Sequence, residues 1–440
     1  MQKTFYLFLL FGIFSLSIHA QSLTQSPYSR YGIGELFNYN NTRNSAMGGI
    51  GIGSTSVTSA CRLNPAAYMD LKRTTLDVSG FANFSLLKTK STDVAQQQAT
   101  KHTVGFRDLS FLFPTNKNAA IAFGFAPYSA LGYAIADNDS IFDGDSLVVS
   151  QINYASRGGL NQAYVGGAMS FLKGKLRAGA NAYFSFGNIQ YEWTSLPATN
   201  YTHLAKINRT TYMRGFGAQL GVQYQDTLKA NKEKDELVFI RVGASADIPL
   251  NINYDRLTTF SSIASSVASG ITDTMGAVVK GKIALPIKSG LGFEISSPMK
   301  WSVGADVIMQ NWKKMDTVRI DNRFNLGNDF RIGIGGEWTP NWKTDNFFKR
   351  VNYRAGGYYN STYLNFNGVP IKDMGVSLGV GIPMNKNKAI STLFNSGKFN
   401  LSVELGQRGS LSATPLSEKY AKIRMGLTIN ELWFVRRKVD

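Results

Sequence analysis

The chain of 440 residues has a single cysteine, Cys61. An internal disulfide is therefore excluded, and no cysteine stands where a lipid anchor needs one. Histidine is nearly as scarce. His19, His102 and His203 are scattered, so no metal cluster and no cofactor is expected. Acidic residues are few, 29 against 47 basic, giving a net charge of +18. Such a balance often marks nucleic-acid binding. Here the basic residues are dispersed, with no basic helix and no aromatic RNA signature, so nucleic acid is not an expected partner. A surface bathed in lipid phosphates, or a lumen for acidic solutes, accounts for the charge better. Beyond the N-terminus no stretch reaches the roughly 18 consecutive apolar residues of a membrane helix.

What is present is alternation. In 421–429, Ala421, Ile423, Met425, Leu427 and Ile429 alternate with Lys422, Arg424, Gly426 and Thr428. In 301–307, Trp301, Val303, Ala305 and Val307 alternate with Ser302, Gly304 and Asp306. Met374, Val376, Leu378, Val380 and Ile382 do the same across Gly375, Ser377, Gly379 and Gly381. A strand sends successive side chains to opposite faces, so each segment has one apolar and one polar face. Many such strands, abundant Gly (43) and 12% aromatics predict an all-β, 14-stranded antiparallel transmembrane barrel of outer-membrane type.

The organisation predicted is threefold. Residues 1–20 read as a signal peptide, with Lys3, an apolar run from Phe5 to Ile18, and Ala20 before Gln21. Cleavage there places the chain in the bacterial outer membrane as a multi-pass protein. Residues 21–73 lack long alternation and read as an N-terminal hatch folded inside the lumen. Residues 74–440 form the barrel. Its strands are expected at 74–88, 104–113, 118–136, 147–172, 175–193, 206–226, 236–256, 280–297, 300–314, 327–338, 350–362, 373–384, 397–408 and 418–434. Bends are expected at Gly158-Gly159 and at Pro286, since proline cannot donate to a ladder. Lys173-Gly174 and 297–300 are tight turns, whereas 89–103, 137–146, 257–279 and 315–326 read as longer polar outer loops. Within 258–271, Phe260, Ile263, Val267 and Ile271 fall near helical spacing, so that loop is either a short amphipathic helix or irregular. Tyr191, Trp193, Trp301, Trp312, Trp338, Tyr358, Tyr359, Trp433 and Phe434 lie near strand ends and read as aromatic girdles.

Charges on the polar faces (Arg177, Arg241, Asp247, Asp306, Arg331, Glu337, Arg354, Glu404, Arg408, Lys422 and Arg424) must look inward, because a lipid-facing charge costs a few kcal/mol. They either pair and pin the hatch or line a charged conduit. Gly375–Gly379 matches G-x-S-x-G, but Ser377 lies mid-strand instead of at a strand-to-helix turn, and no histidine is near. Gly49–Gly53 lacks the preceding strand of a nucleotide loop. No enzyme is expected.

Ala46-Met47-Gly48-Gly49-Ile50-Gly51, followed by Leu63-Asn64-Pro65-Ala66 just before the first barrel strand, resembles the FadL family of outer-membrane transporters of hydrophobic compounds. Ala284-Leu285-Pro286, Asp306 followed by Trp312, and Gly379–Pro383 are further matches. The opening Ser26–Gly34 and the ending at Trp433-Phe434 are similar to the Bacteroidetes branch. The resemblance implies fourteen strands, a hatch, and lateral release of ligand near a strand kink. Gly48, Gly49, Asn64, Pro65 and Ala66 are the hatch motif, and Pro127 is the candidate kink. Phe81, Phe125, Tyr183 and Arg354 are candidate lumen contacts for a ligand. The function implied is passive uptake of hydrophobic small molecules, fatty-acid-like or aromatic. The alternative is a non-transporting accessory subunit of an outer-membrane secretion or assembly complex. Expected partners are outer-membrane lipid and lipopolysaccharide, a hydrophobic ligand and, under the alternative, other outer-membrane proteins.

Overall fold

The computed structural model describes residues 22–38, 40–59, 61–90, 97–143, 146–197, 203–231, 236–264, 270–313, 315, 324–384 and 397–431. The leader 1–20 and Trp433-Phe434 lie outside them. A two-residue strand, β1 (Glu35–Leu36), belongs to the N-terminal segment. The wall begins with β2 (Thr74–Thr89), β3 (Gln97–Asn116), β4 (Ala119–Asp143), β5 (Ser146–Phe171), β6 (Leu176–Pro197) and β7 (His203–Asn231). Next, β8 (Glu236–Pro249) continues as β9 (Ile252–Ala264), and both pair with β7. The following wall strand is β10 (Gly270–Thr274), β11 (Val279–Ile283) and β12 (Lys288–Ser297) in succession. Then come β13 (Trp301–Asn311), β14 (Phe324–Leu326) with β15 (Asn328–Trp338), β16 (Asn352–Phe366), β17 (Val369–Pro383), β18 (Lys398–Arg408) and β19 (Leu416–Glu431). With each broken strand taken as one, fourteen antiparallel strands close into a barrel, β19 pairing with β2 from Leu416↔Thr89 to Glu431↔Thr74. Closure pairs the first wall strand with the last, so the sheet does not end on a free edge strand.

The faces follow the alternation. Val303, Val376, Leu378 and Met425 are more than half exposed on the outside, whereas Ser302, Ser377, Arg354 and Thr428 are buried inside. Pro286 interrupts the wall between β11 and β12, as expected. Gly158 and Gly159 take φ of +113° and +143° inside an unbroken β5. A Cβ there would lie 2.1 Å from Asn188 O and 2.2 Å from Ser129 O, so only glycine allows this bend.

Several expectations need correction. The described parts of the outer loops 89–103, 137–146 and 257–279 are mostly strand, and most of 315–326 lies outside the described residues. β4 and β5 pair out to Asp143↔Ser146, and β9 and β10 pair through Ile263↔Gly270. Residues 258–264 and 270–271 are thus neither helical nor irregular, and 265–269, with Val267, lie outside the described residues. The backbone groups of 258–264 find partners in the neighbouring β7, which satisfies them better than an isolated turn of helix. About 9–11 residues cross a membrane as a tilted strand, so β4 with 25 and β7 with 29 project well beyond it. β13 and β18, with 11 each, do not. The girdle holds for Trp301, Trp338 and Tyr359, which are exposed on the outer face. Trp312 and Tyr191 are instead inward and buried and Tyr358 inward and half-buried, because each falls on the polar-face parity of its strand or, for Trp312, of the residue just after β13.

Candidate functional site

The lumen is filled from the N-terminus. Residues 40–55 are buried throughout, and the 3-10 turn Pro65–Asp70 follows them. Asn64 caps that turn, its Oδ1 accepting from Ala66 N at 3.0 Å. Pro65 at the first position of the turn is pre-set for it. The Asn64 amide also donates to Ile52 O at 2.9 Å and to the wall carbonyl Val222 O at 3.1 Å. One side chain therefore ties two parts of the segment to β7.

Gly48 and Gly49 have φ of +67° and +78°. Gly48 N donates to Ser377 Oγ at 2.9 Å, and Gly48 O accepts from Arg331 at 2.9 Å. Ser377 thus serves as an anchor for the inserted chain. Further along the segment, Asp306 of β13 accepts from Gly51 N at 2.5 Å and Ile52 N at 2.7 Å. The carboxylate satisfies successive backbone donors that would otherwise be orphaned in the lumen. Backbone packs on backbone here. A Cβ on inward-facing Gly335 would lie 2.4 Å from Met47 O, and one on Gly243 would lie 2.2 Å from Ile52 O. The inward glycines of the wall form a groove the width of an extended chain. This complement to the glycine-rich segment was missed in the sequence, although glycine on the inward parity was its signal.

Ion pairs fix the segment on three sides. Asp70 meets Arg177 at 2.8 Å and Arg241 at 3.6 Å, and Arg241 also meets Glu294 at 2.7 Å. Arg43 meets Glu337 at 3.3 Å, and Glu337 meets Arg354 at 2.6 Å. Glu35 meets Arg408 at 3.0 Å and Lys422 at 3.2 Å, and Arg408 also meets Asp373 at 3.1 Å. Burial works to raise the Asp70 and Glu35 carboxyls, but the facing guanidinium and ammonium groups outweigh it and hold both below the usual carboxylate range. Toward the end bearing the long strands, the lumen changes character. Tyr128, Leu131, Leu160, Ile308, Trp312 and Tyr363 form a packed apolar cluster, with Trp312 and Tyr363 ring centroids 4.8 Å apart.

The wall has one loosened seam in view. β3 and β4 pair only from Leu109↔Phe125 to Asn116↔Ala119. Pro127 sits just past the end of that pairing, opposite Asn161 of β5, with a register shift at Tyr128. Its missing N–H therefore costs no ladder bond, since no β3 partner faces it. The N-terminal segment takes β3's place. Leu36 and Glu35 of β1 pair with Ser129 and Ala130, and Phe37 N donates to Tyr128 O at 2.9 Å. Ser22 Oγ donates to Leu131 O at 2.6 Å. On the other side of the seam, Gln25 donates to His102 O at 2.9 Å, and Arg107 donates to Asn38 O with its guanidinium 5.0 Å from the Phe37 ring centroid.

The four candidate ligand contacts do not converge. Phe81 is buried against Phe37 at the seam. Tyr183 faces inward, donating to Asp247 at 2.5 Å beneath the Arg62 guanidinium. Arg354 is committed to Glu337 and Asn400. Phe125 is a correction. It lies on the outer face among Phe106 and Phe186, because the alternate positions Ala122 and Ala126 carry the buried, inward parity of β4. Among the described residues, three interior cavities beside the segment measure about 120, 20 and 10 Å³. Ligand pockets commonly hold 300–1,000 Å³.

A family model described as BamG matches residues 1–440. No curated protein matches the chain. Among solved structures, the Pseudomonas putida toluene transporter TodX is 14% identical, with TM-score 0.55, covering 89% of this chain and 99% of its own. A Pseudomonas aeruginosa FadL homologue is 11% identical, with TM-score 0.56, covering 90% and 99%. The Ralstonia pickettii toluene transporter TbuX is 13% identical, with TM-score 0.52, covering 89% and 98%. At these identities the likeness is one of fold: a barrel resembling outer-membrane proteins.

Proposed function

The chain belongs to the BamG family, and from that premise we propose that it is a non-conducting accessory barrel of an outer-membrane complex. The reading places the barrel in the outer membrane after removal of the leader, with the Lys173-Gly174 and 298–300 turns on the periplasmic side. One observation carries it: a lumen occupied by residues 40–59 and 61–70, pinned by ion pairs on three sides, with the cavities among the described residues too small for a lipid-like ligand. Residues 22–73 act as a fixed hatch, and the projecting strands β4–β7, β9 and β10 offer contact surface outside the bilayer. The test is purification from native membranes, with mass spectrometry of bound proteins and a tracer assay on the same protein in liposomes. The expected result is a stoichiometric outer-membrane protein partner and no uptake of a hydrophobic tracer. Tracer uptake by the wild-type barrel alone overturns this reading.

The second reading, passive uptake of a hydrophobic small molecule, is favoured by the β3–β4 seam and by the fold shared with toluene transporters. In that case residues 22–38 withdraw from the seam at Pro127, and the ligand leaves sideways into the bilayer. The tracer assay separates the two readings.

A further inference from the structure

A concavity of about 850 Å³ indents the outward face of the wall across β13, β15, β16, β17 and β18. Its floor is Gly336 and Ala355, which are cross-strand partners. Their neighbours in the same row are Val303 and Leu378. Two small residues side by side recess the surface by about the depth of a side chain, while Val380 and Leu401 stand at the edge. Added length at Ala355 would fill it, since its side chain already points outward.

The dent ends in an aromatic step. Trp301 pairs with Trp338, which pairs with Tyr353, and the Trp338 and Tyr353 rings lie 6.1 Å apart. Beyond the step, residues 339–351 fold back over the strand ends. Thr339 N donates to Lys300 O at 2.7 Å, Asn341 N to Lys349 O at 2.8 Å, and Tyr353 Oη to Phe348 O at 3.0 Å. This strap carries Lys343, Lys349 and Arg350 against the single acid Asp345, and Lys300 adjoins it. Phe348 is 71% exposed on it.

Apolar recess, aromatic belt and cationic strap follow one another along the wall in the order of acyl chain, interface and headgroup. We infer that this dent binds one anionic glycerophospholipid, its chains in the recess over Gly336 and Ala355 and its phosphate among Lys300, Lys343 and Lys349. The inference rests on the reading that these strand ends face the periplasm, where the leaflet is phospholipid. A neutral lipid would satisfy the recess but not the strap. A protein wall would fill the recess but offer the strap no phosphate.

The test is native mass spectrometry of the full chain, stripped of lipid and then given equal amounts of phosphatidylglycerol and phosphatidylcholine. Wild type should retain one phosphatidylglycerol under activation that removes phosphatidylcholine. Ala355→Leu should abolish retention. Val303→Phe, which intrudes from the opposite side, serves if Ala355→Leu fails to show the gel mobility of a folded barrel. Lys343→Gln with Lys349→Gln should weaken phosphatidylglycerol by about fivefold per lysine and leave phosphatidylcholine unchanged. Equal retention by wild type, the filled-dent variant and the lysine variant overturns the inference. So does a second protein chain bound at the dent and lost on filling it. Tracer uptake by wild type would defeat the accessory reading without altering the lipid count, so the two failures are distinguishable.

Discussion

Asn64 and Asp70 show what a single side chain can hold when water is excluded. Asn64 satisfies a cap, an internal carbonyl and a wall carbonyl at once. Asn64→Ala removes the cap on Ala66 N and the tie to Val222 O, while Ile52 O keeps Gln223 Nε2 at 2.8 Å; the cost is about 1–3 kcal/mol for the buried donor left without its partner. The expected readout is faster proteolysis within 22–73 while the barrel keeps its heat-resistant gel mobility. The Asn-Pro-Ala signal was legible from sequence because capping and proline chemistry are local. Its wall partner at Val222 was not, because 158 residues separate them.

Asp70 carries a pH dependence. Its folded pKa lies below the unfolded value, as does that of Glu35. The stability they contribute is therefore present above the unfolded carboxylate pKa of about 4 and is lost as pH falls through the lower folded values. Attachment of the segment should be constant from neutral pH down to about 5 and weaken only in stronger acid. Protease protection of 22–73 measured across that range checks the sign. Loss of protection on raising the pH from neutral would show that other groups control the attachment.

At the scale of the element, alternation assigned the faces, and the filled lumen removes the tolerance an inward position would otherwise have. Ser302 and Ser377 could accept arginine only where the lumen had room. Ser377 is 1% exposed beneath Gly48, so it has none. Val380→Arg should impair barrel assembly by about 2–4 kcal/mol at the membrane midplane. Ser377→Arg should leave the wall intact and eject residues 46–50, seen as protease cleavage there in a barrel of normal gel mobility. Identical behaviour of the two variants would mean the faces are misassigned. Pairing beyond the membrane was not legible, because polar strand extensions and polar loops share a composition. Only the partner strand decides between them, as β7 does for residues 252–264.

For the whole molecule, the inserted segment is the boundary between a plugged barrel and an open one. Deleting 22–66 behind the leader removes Glu35 and Arg43 and exposes a lumen lined by arginines and acids. The truncated chain should still insert and should conduct ions in planar bilayers, while wild type conducts far less. Equal conductance would defeat the plug. Silence of both would mean that the apolar cluster around Trp312 and Tyr363 seals the lumen unaided.

The sequence by itself determined the barrel, its strand number, its inward charges and the position of the inserted segment. Each of these follows from period-two alternation or from local turn chemistry, which neighbouring residues carry. Tertiary structure alone decided which charge meets which, and that the groove of inward glycines fits the segment's backbone. It also decided that residues 22–38 stand in for β3 beside Pro127, and that Gly336 and Ala355 meet in one row to form a dent. These are contacts between residues far apart in the chain. Closing the barrel sets the stagger of every strand against all the others, and no single strand records that register.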